Sequence, residues 1–210
     1  MVRKSHCPIG IKAMGWFTSR KSGVNAVNLQ DLLGFGGYQT AWTWFHKLRR
    51  CTIRQGRERL SGRVEVDEFY IGGQKPGKRG RGSNGRTIVV AAVQKNDHEF
   101  GRIRLQVIPD CSSKVLQAFI NKNIAPDSTI VTDGWKGYNA IDPEKYAHKQ
   151  QVAEHIEDKD SILPGVPRIT SLVKRMMLGT FQGRFGPCHL QSYLDEYVFR
   201  FNRRKSRFIG

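Results

Sequence analysis

Apolar positions change their spacing twice along the chain, and the changes divide it into three blocks. In the first, Val24, Val27, Leu29, Leu32 and Leu33 recur near helical spacing after Ser22, a residue type suited to cap a helix. The stretch stops at Gly34-Phe35-Gly36-Gly37, whose glycines permit positive φ. A second helix is predicted from Tyr38 to Arg50, where Ala41, Phe45 and Leu48 share a face and Lys47, Arg49 and Arg50 load the last turn. Helix, glycine turn and basic helix trace a helix-turn-helix outline, which two ordinary packing helices would also trace. Trp42, Trp44 and, further on, Trp135 read as packing residues rather than stacking platforms.

The middle block has a period of two. Arg63-Val-Glu-Val-Asp67-Glu-Phe-Tyr-Ile71 alternates like a strand and ends at Gly72-Gly73. Two further strands are predicted over Thr87–Gln94 and Arg102–Ile108, with turn residues from Lys95 to Gly101 between them. Asp110 and Ser112 can cap a helix through Val115, Leu116, Phe119 and Ile120, and a short strand, Thr129–Thr132, then runs into Asp133-Gly134. The last block is helical again. Ile169, Leu172, Val173 and Met176 form one stripe, and Leu190, Tyr193, Leu194, Tyr197, Val198 and Phe201 another, the clearest periodic signal in the chain.

Charge sharpens this picture. The 210 residues carry 35 Lys and Arg against 18 Asp and Glu, a net +17, which points to a polyanionic partner, while 39% apolar residues are enough to form a core. The first 66 residues hold 12 basic and 3 acidic side chains, and five bases fall within Arg200–Arg207, so the field is strongest towards the two ends. The glycine-rich segment with Lys75, Lys78, Arg79 and Arg81 suits contact with phosphates, as do Arg200, Arg203 and Arg204. The longest apolar run, Ile88–Val93, is far short of the roughly 20 residues that cross a bilayer. No secretion signal is apparent, and four scattered cysteines without a C-x-x-C pair suggest neither a zinc ribbon nor a disulfide framework, so a cytoplasmic location is expected.

Asp67 inside one strand and Asp133 at the end of another form a pair worth testing. Each has an ordinary reading alone, but phosphodiester chemistry needs charge stabilised on attacking and leaving oxygens, which divalent ions held by carboxylates supply. Mg²⁺, or Mn²⁺ in its place, takes one or two such carboxylates. Three strands, a helix, a strand and a helix, with these acids on strands 1 and 4, is the layout of a ribonuclease H-like α/β fold. Glu65, Glu68 and Glu196 read as structural or solvated, Glu196 opposite the apolar stripe of its helix.

The segments VEVDEFYIGG, TIVTDGWKGY, SLVKRMMLGTFQG and HLQSYLDEYVFRFNRR, in that order, resemble the ISXO-type insertion-sequence transposases, a DDE-related group, over roughly residues 15 to 205. GVNAVNLQDLLGFGGYQTAWTWFHKLRR resembles that group's helical amino-terminal region. The resemblance implies a basic helical region over 1–60 and a ribonuclease H-like catalytic domain over 61–210, with Asp67 and Asp133 as metal ligands. It implies that water cuts the element's end to release a 3′ hydroxyl, which attacks a target phosphodiester. Double-stranded DNA, as transposon ends and target, and further copies of the chain are the implied partners.

One position departs from the group's pattern. Where a third ligand is expected, two turns before Lys174, stands Pro164-Gly-Val-Pro167, and Pro167 has no ligand atom. Either Glu154, His155, Glu157 or Asp160 reaches the site, or the site is incomplete. Phe181 replaces an expected polar histidine, and only Cys7 remains of an expected amino-terminal cysteine cluster, as in a truncated or degenerate reading frame. Lys174, seven residues after Pro167, projects on the same helix face and is a candidate phosphate contact in catalysis.

Overall fold

The computed structural model describes residues 7–20, 23–54, 56–72, 86–97, 99–151, 163–182 and 186–206. The chain divides into two compact units, one of residues 56–174 and one of residues 1–55 with 175–210.

The unit of residues 56–174 is built on a five-stranded mixed sheet: β1 (Arg63–Ile71), β2 (Thr87–Asn96), β3 (Glu99–Ile108), β4 (Ser128–Thr132) and β5 (Tyr146–Gln150), in the order β3-β2-β1-β4-β5. β1, β2 and β3 form an antiparallel meander, whereas β4 runs parallel to β1 and β5 parallel to β4. Antiparallel neighbours need only a hairpin, but the parallel step from β3's side of the sheet to β4 needs a crossover, supplied by α4 (Ser113–Asn123). This is the ribonuclease H-like topology anticipated from the order of elements.

On one face of the sheet Val64, Val66, Val90, Ala92 and Ile130 pack against Leu116, Phe119 and Ile120 of α4 and against Tyr138. The other face receives the start of α5 (Gly165–Gly179), where the Gly165 amide donates to Glu65 Oε2 at 2.7 Å. A side chain at Gly165 would come within 2.6 Å of that oxygen and 3.0 Å of Val93, so the helix can approach this closely only through glycine. β1 is thus covered on both faces, and its burial is nearly continuous rather than alternating.

The hairpin differs from expectation. Lys95 pairs with Phe100 and Asn96 with Glu99, so the strands run on through most of the segment read as a turn, and Asp97 takes a positive φ of 34° at the reversal. The short polar edge strand β5, in which only Tyr146 is buried, was not anticipated.

In the other unit, α1 (Cys7–Ser19), α2 (Ala26–Leu33) and α3 (Tyr38–Cys51) share a core of Phe17, Leu29, Ala41, Phe45 and Leu48, against which Trp42 and Trp44 also pack. The cap of α2 is Asn25, whose side chain accepts from the Asn28 amide at 2.9 Å, rather than Ser22, which lies outside the described residues. Gly34, with φ of 65°, closes the helix in the left-handed conformation that glycine tolerates.

α6 (Leu190–Asn202) belongs with these helices, in the unit that groups 175–210 with residues 1–55. The tie is electrostatic. Glu196 is fully buried, accepts from Arg49 Nε at 2.8 Å through Oε2, and takes Arg200 Nε and Nη2 at 3.1 and 2.9 Å on Oε1. It therefore lies beside Tyr193 on a second contact flank of α6, not on the solvent side. Phe181, where a histidine was expected, meets Tyr193 edge to face with centroids 4.5 Å apart, and its ring centroid lies 5.5 Å from the Arg49 guanidinium.

Candidate active site

Parallel pairing of β1 with β4 sets Arg63 opposite Thr129, Val64 opposite Ile130 and Glu65 opposite Val131. Carried on by two residues, this register would bring Asp67, which lies in β1 on the face of Glu65, level with Asp133, the residue that follows the end of β4. The ladder has ended by then: β1 continues to Ile71 paired only with β2, while β4 stops at Thr132. Two carboxylates therefore flank the point where adjacent strands part, at the carboxyl end of β4, where open α/β sheets commonly bind ligands.

Both side chains are oriented by backbone amides. Asp67 Oδ1 accepts from the Glu68 amide at 2.7 Å, and Asp133 Oδ1 accepts from the Trp135 amide at 3.0 Å in an Asx turn. The turn is held in place from α4's side, where the Trp135 indole N–H donates to Cys111 O at 3.2 Å. Gly137 makes this possible, since a side chain there would meet Trp135 Nε1 at 2.5 Å and Cys111 O at 2.8 Å.

Glu68, on the opposite sheet face from Asp67, is nearly buried and accepts the Tyr138 hydroxyl at 3.0 Å. Burial, then the charges of Glu68, Asp67 and Asp133, push Tyr138 far above the usual phenol range, so it remains a donor. Glu65, on the Asp67 face, is committed to the Gly165 amide and lies 3.6 Å from Lys95 Nζ.

Two carboxylates are the number that Mg²⁺ usually takes from protein, and their all-oxygen chemistry suits a hard cation. Among the described residues, no group of three His, Cys, Asp or Glu side chains is gathered to hold a metal ion. The beginning of α5 adds none, because Pro164 and Pro167 stand there. Glu154, His155, Glu157 and Asp160 lie outside the described residues. Lys174 is exposed on α5, on the same side as exposed Pro167.

The basic candidates fare differently. Lys75, Lys78, Arg79 and Arg81 lie outside the described residues. The Arg200 side chain, expected to contact phosphate, is only 9% exposed, bonded to Glu196 and to Arg20 O, with its guanidinium 4.9 Å from the Phe17 ring centroid. Arg203 and Arg204 stack on Phe199 and Phe201 at 4.0 and 3.9 Å, and Arg204 is exposed.

Arginines around β3 escaped sequence reading. Arg104 is buried and donates to Glu58 O at 2.6 Å, and Arg102 pairs with Glu58 Oε2 at 2.7 Å. Burial and the nearby charges of Arg57 and Arg102 lower Arg104 to about 10. Alternation along β3 gave no hint of a buried cation, because its partners lie in the segment preceding β1.

On α3, Gln39, Thr40, Thr43, Trp44 and Lys47 line a shallow depression of about 250 Å³, a polar surface with hydrogen-bonding groups at helical spacing. Among the described residues, no helix is long and apolar enough to cross a membrane.

Comparison with known proteins bears on this arrangement. The family model of the ISXO2-like transposase domain matches residues 59–202. A transposase-like protein of Haemophilus influenzae, described as uncharacterized, is 28% identical over 97 residues, which span 46% of this chain and 77% of the relative. Among solved structures, a chain in the cryoEM structure of the simian T-cell lymphotropic virus intasome in complex with PP2A regulatory subunit B56 gamma is similar at 14% identity and a TM-score of 0.44. That alignment covers 90% of this chain, which spans 65% of the other's length. With well over half of its residues matched by the family model, the chain belongs to the ISXO2-like transposase family.

Proposed function

We propose that the chain is a DNA transposase, a polynucleotidyl transferase that cuts the ends of an insertion sequence and joins the released 3′ ends to target DNA. The observation that supports this most is the parallel β1–β4 register, which carried on by two residues leads to Asp67 and Asp133 where the strands part, in a chain of a transposase family. In this reading the two aspartates hold Mg²⁺ or Mn²⁺, and the bound ions supply stabilisation of charge on the phosphodiester oxygens. Lys174 steadies a nearby phosphate. Arg203, Arg204 and the segment with Lys75, Lys78, Arg79 and Arg81 follow the DNA backbone, while the exposed face of α3 reads the element's ends in the major groove. Arg200 serves the fold. Copies of the chain pair the two ends, and the reaction takes place in the cytoplasm.

A second reading, a catalytically decayed DNA-binding descendant, is favoured by one observation: Pro164 and Pro167 occupy the start of α5, where the family resemblance leads to a third ligand. A strand-transfer assay separates the two. A duplex carrying the sequence that flanks the chain's own reading frame is mixed with supercoiled target and Mg²⁺. Joined product that disappears in Asp67→Asn and Asp133→Asn supports the transposase. End binding without nicking or joining supports the decayed protein, and absence of DNA binding defeats both.

A further inference from the structure

Nothing in the backbone ladder keeps Asp67 beside Asp133. Pairing between β1 and β4 stops at Glu65 and Val131, before either aspartate is reached, and two like charges repel when no cation lies between them. Contacts beyond the last rung of this ladder therefore bear on their spacing.

On the opposite face of the sheet, the residue following Asp67 in β1 is joined to the short helical turn that follows Asp133. The Tyr138 hydroxyl, in the turn Lys136–Ala140, donates to Glu68 Oε2 at 3.0 Å across 70 residues of sequence. Tyr138 is fully buried among Val64, Val66, Ile130 and α4, and Glu68 is 9% exposed, so neither end of the bond has water as an easy substitute. The turn is fixed in its own right by Trp135, whose amide holds Asp133 and whose indole reaches Cys111 O. A tether on Tyr138 is therefore also a tether on Asp133.

We infer that Glu68 and Tyr138 are a positioning pair, which sets the separation of Asp67 and Asp133 from behind the sheet and so prepares the two carboxylates for a shared divalent cation. The pair touches no substrate. It adds, beyond the last rung of the β1–β4 ladder, a side-chain bond in a dry environment. The metal part of this inference rests on the proposed function; the mechanical part does not.

The test uses the full chain in two measurements. In the first, hydrogen exchange of the metal-free protein is followed by mass spectrometry. Tyr138→Phe, which keeps the ring and removes only the hydroxyl, should speed exchange at least tenfold in peptides covering 66–70 and 132–137, with α4 unchanged. Glu68→Gln, which keeps an acceptor oxygen, should leave exchange near wild type. In the second, Mn²⁺ is titrated calorimetrically, and Tyr138→Phe should weaken binding about 10- to 100-fold, the usual cost of losing a group that orients a ligand. Unchanged exchange in Tyr138→Phe overturns the inference whatever the metal does, as does altered exchange with Mn²⁺ affinity equal to that of a binding wild type. A wild type that binds no Mn²⁺ while Tyr138→Phe still loosens both segments defeats the metal reading and leaves the tether standing.

Discussion

Replacing Glu196 by alanine should be among the most damaging single changes in the helical unit. The carboxylate is fully buried between two guanidinium groups whose side chains are 3% and 9% exposed, those of Arg49 and Arg200. Arg49 is further enclosed by Tyr193, Phe45 and Phe181, at 4.1, 5.1 and 5.5 Å from their ring centroids. Aromatic faces attract a cation but supply no hydrogen-bond acceptor comparable to a carboxylate. Removing Glu196 leaves two cations in a site that water cannot readily enter, and breaking such a buried pair costs about 3–5 kcal/mol. Set against a domain stability of about 5–15 kcal/mol, that is a third or more of the total in most cases. At about 4 °C per kcal/mol for a unit of this size, the melting temperature should fall by about 12–20 °C. Thermal unfolding followed by circular dichroism measures the shift. Glu196→Gln should fall between, since it keeps acceptor atoms and loses the charge. Combining Glu196→Ala with Arg49→Met should recover part of the loss, giving a coupling energy of at least about 1 kcal/mol in a double-mutant cycle. A melting temperature within about 3 °C of wild type in Glu196→Ala, or strict additivity in the cycle, would refute the burial argument.

Two further outcomes are expected. Lys47→Ala with Arg50→Ala, both exposed on α3, should weaken binding to every duplex and reduce the slope of log affinity against log salt by about 1.8, whereas Gln39→Ala should change which end sequence is preferred; an unchanged slope by fluorescence anisotropy would remove α3 from the DNA surface. Burial, then Arg49, His189 and Arg50, lower His46 from 6.5 to about 4, so between these values the unfolded chain binds more protons and stability declines as pH falls. His46→Phe should flatten the dependence of melting temperature on pH between about 4 and 6.5. A slope equal to that of wild type would show that His46 titrates normally.

Periodicity carried the sheet well, for a physical reason. Alternation in RVEVDEFYI marked a strand, and β1 spans Arg63–Ile71 as expected, although its burial is nearly continuous. The same logic fails for β5, whose YAHKQ buries little because it is an edge, and for α1, whose apolar residues and glycines surround the helix instead of forming a stripe. The places of Asp67 inside β1 and of Asp133 directly after β4 were legible in the sequence. Their neighbourhood was not: the Tyr138–Glu68 bond joins residues 70 apart, and Glu196 meets Arg49 147 positions away. Charged residues read as surface from sequence because composition says nothing about a partner brought up by tertiary packing. Arg200 shows this: a basic run at a helix end suggests phosphate contact, whereas its bond to buried Glu196 at i−4 was not legible in the sequence.

The direct trial of shared cation binding is calorimetric titration of Mn²⁺ into the metal-free full chain, with Asp67→Asn and Asp133→Asn alongside and folding checked by circular dichroism. Saturable heat in the wild type, lost in each folded variant, is the expected result, because neither carboxylate alone should hold the ion. A flat wild-type trace, or binding that survives both substitutions, would contradict joint metal binding by Asp67 and Asp133.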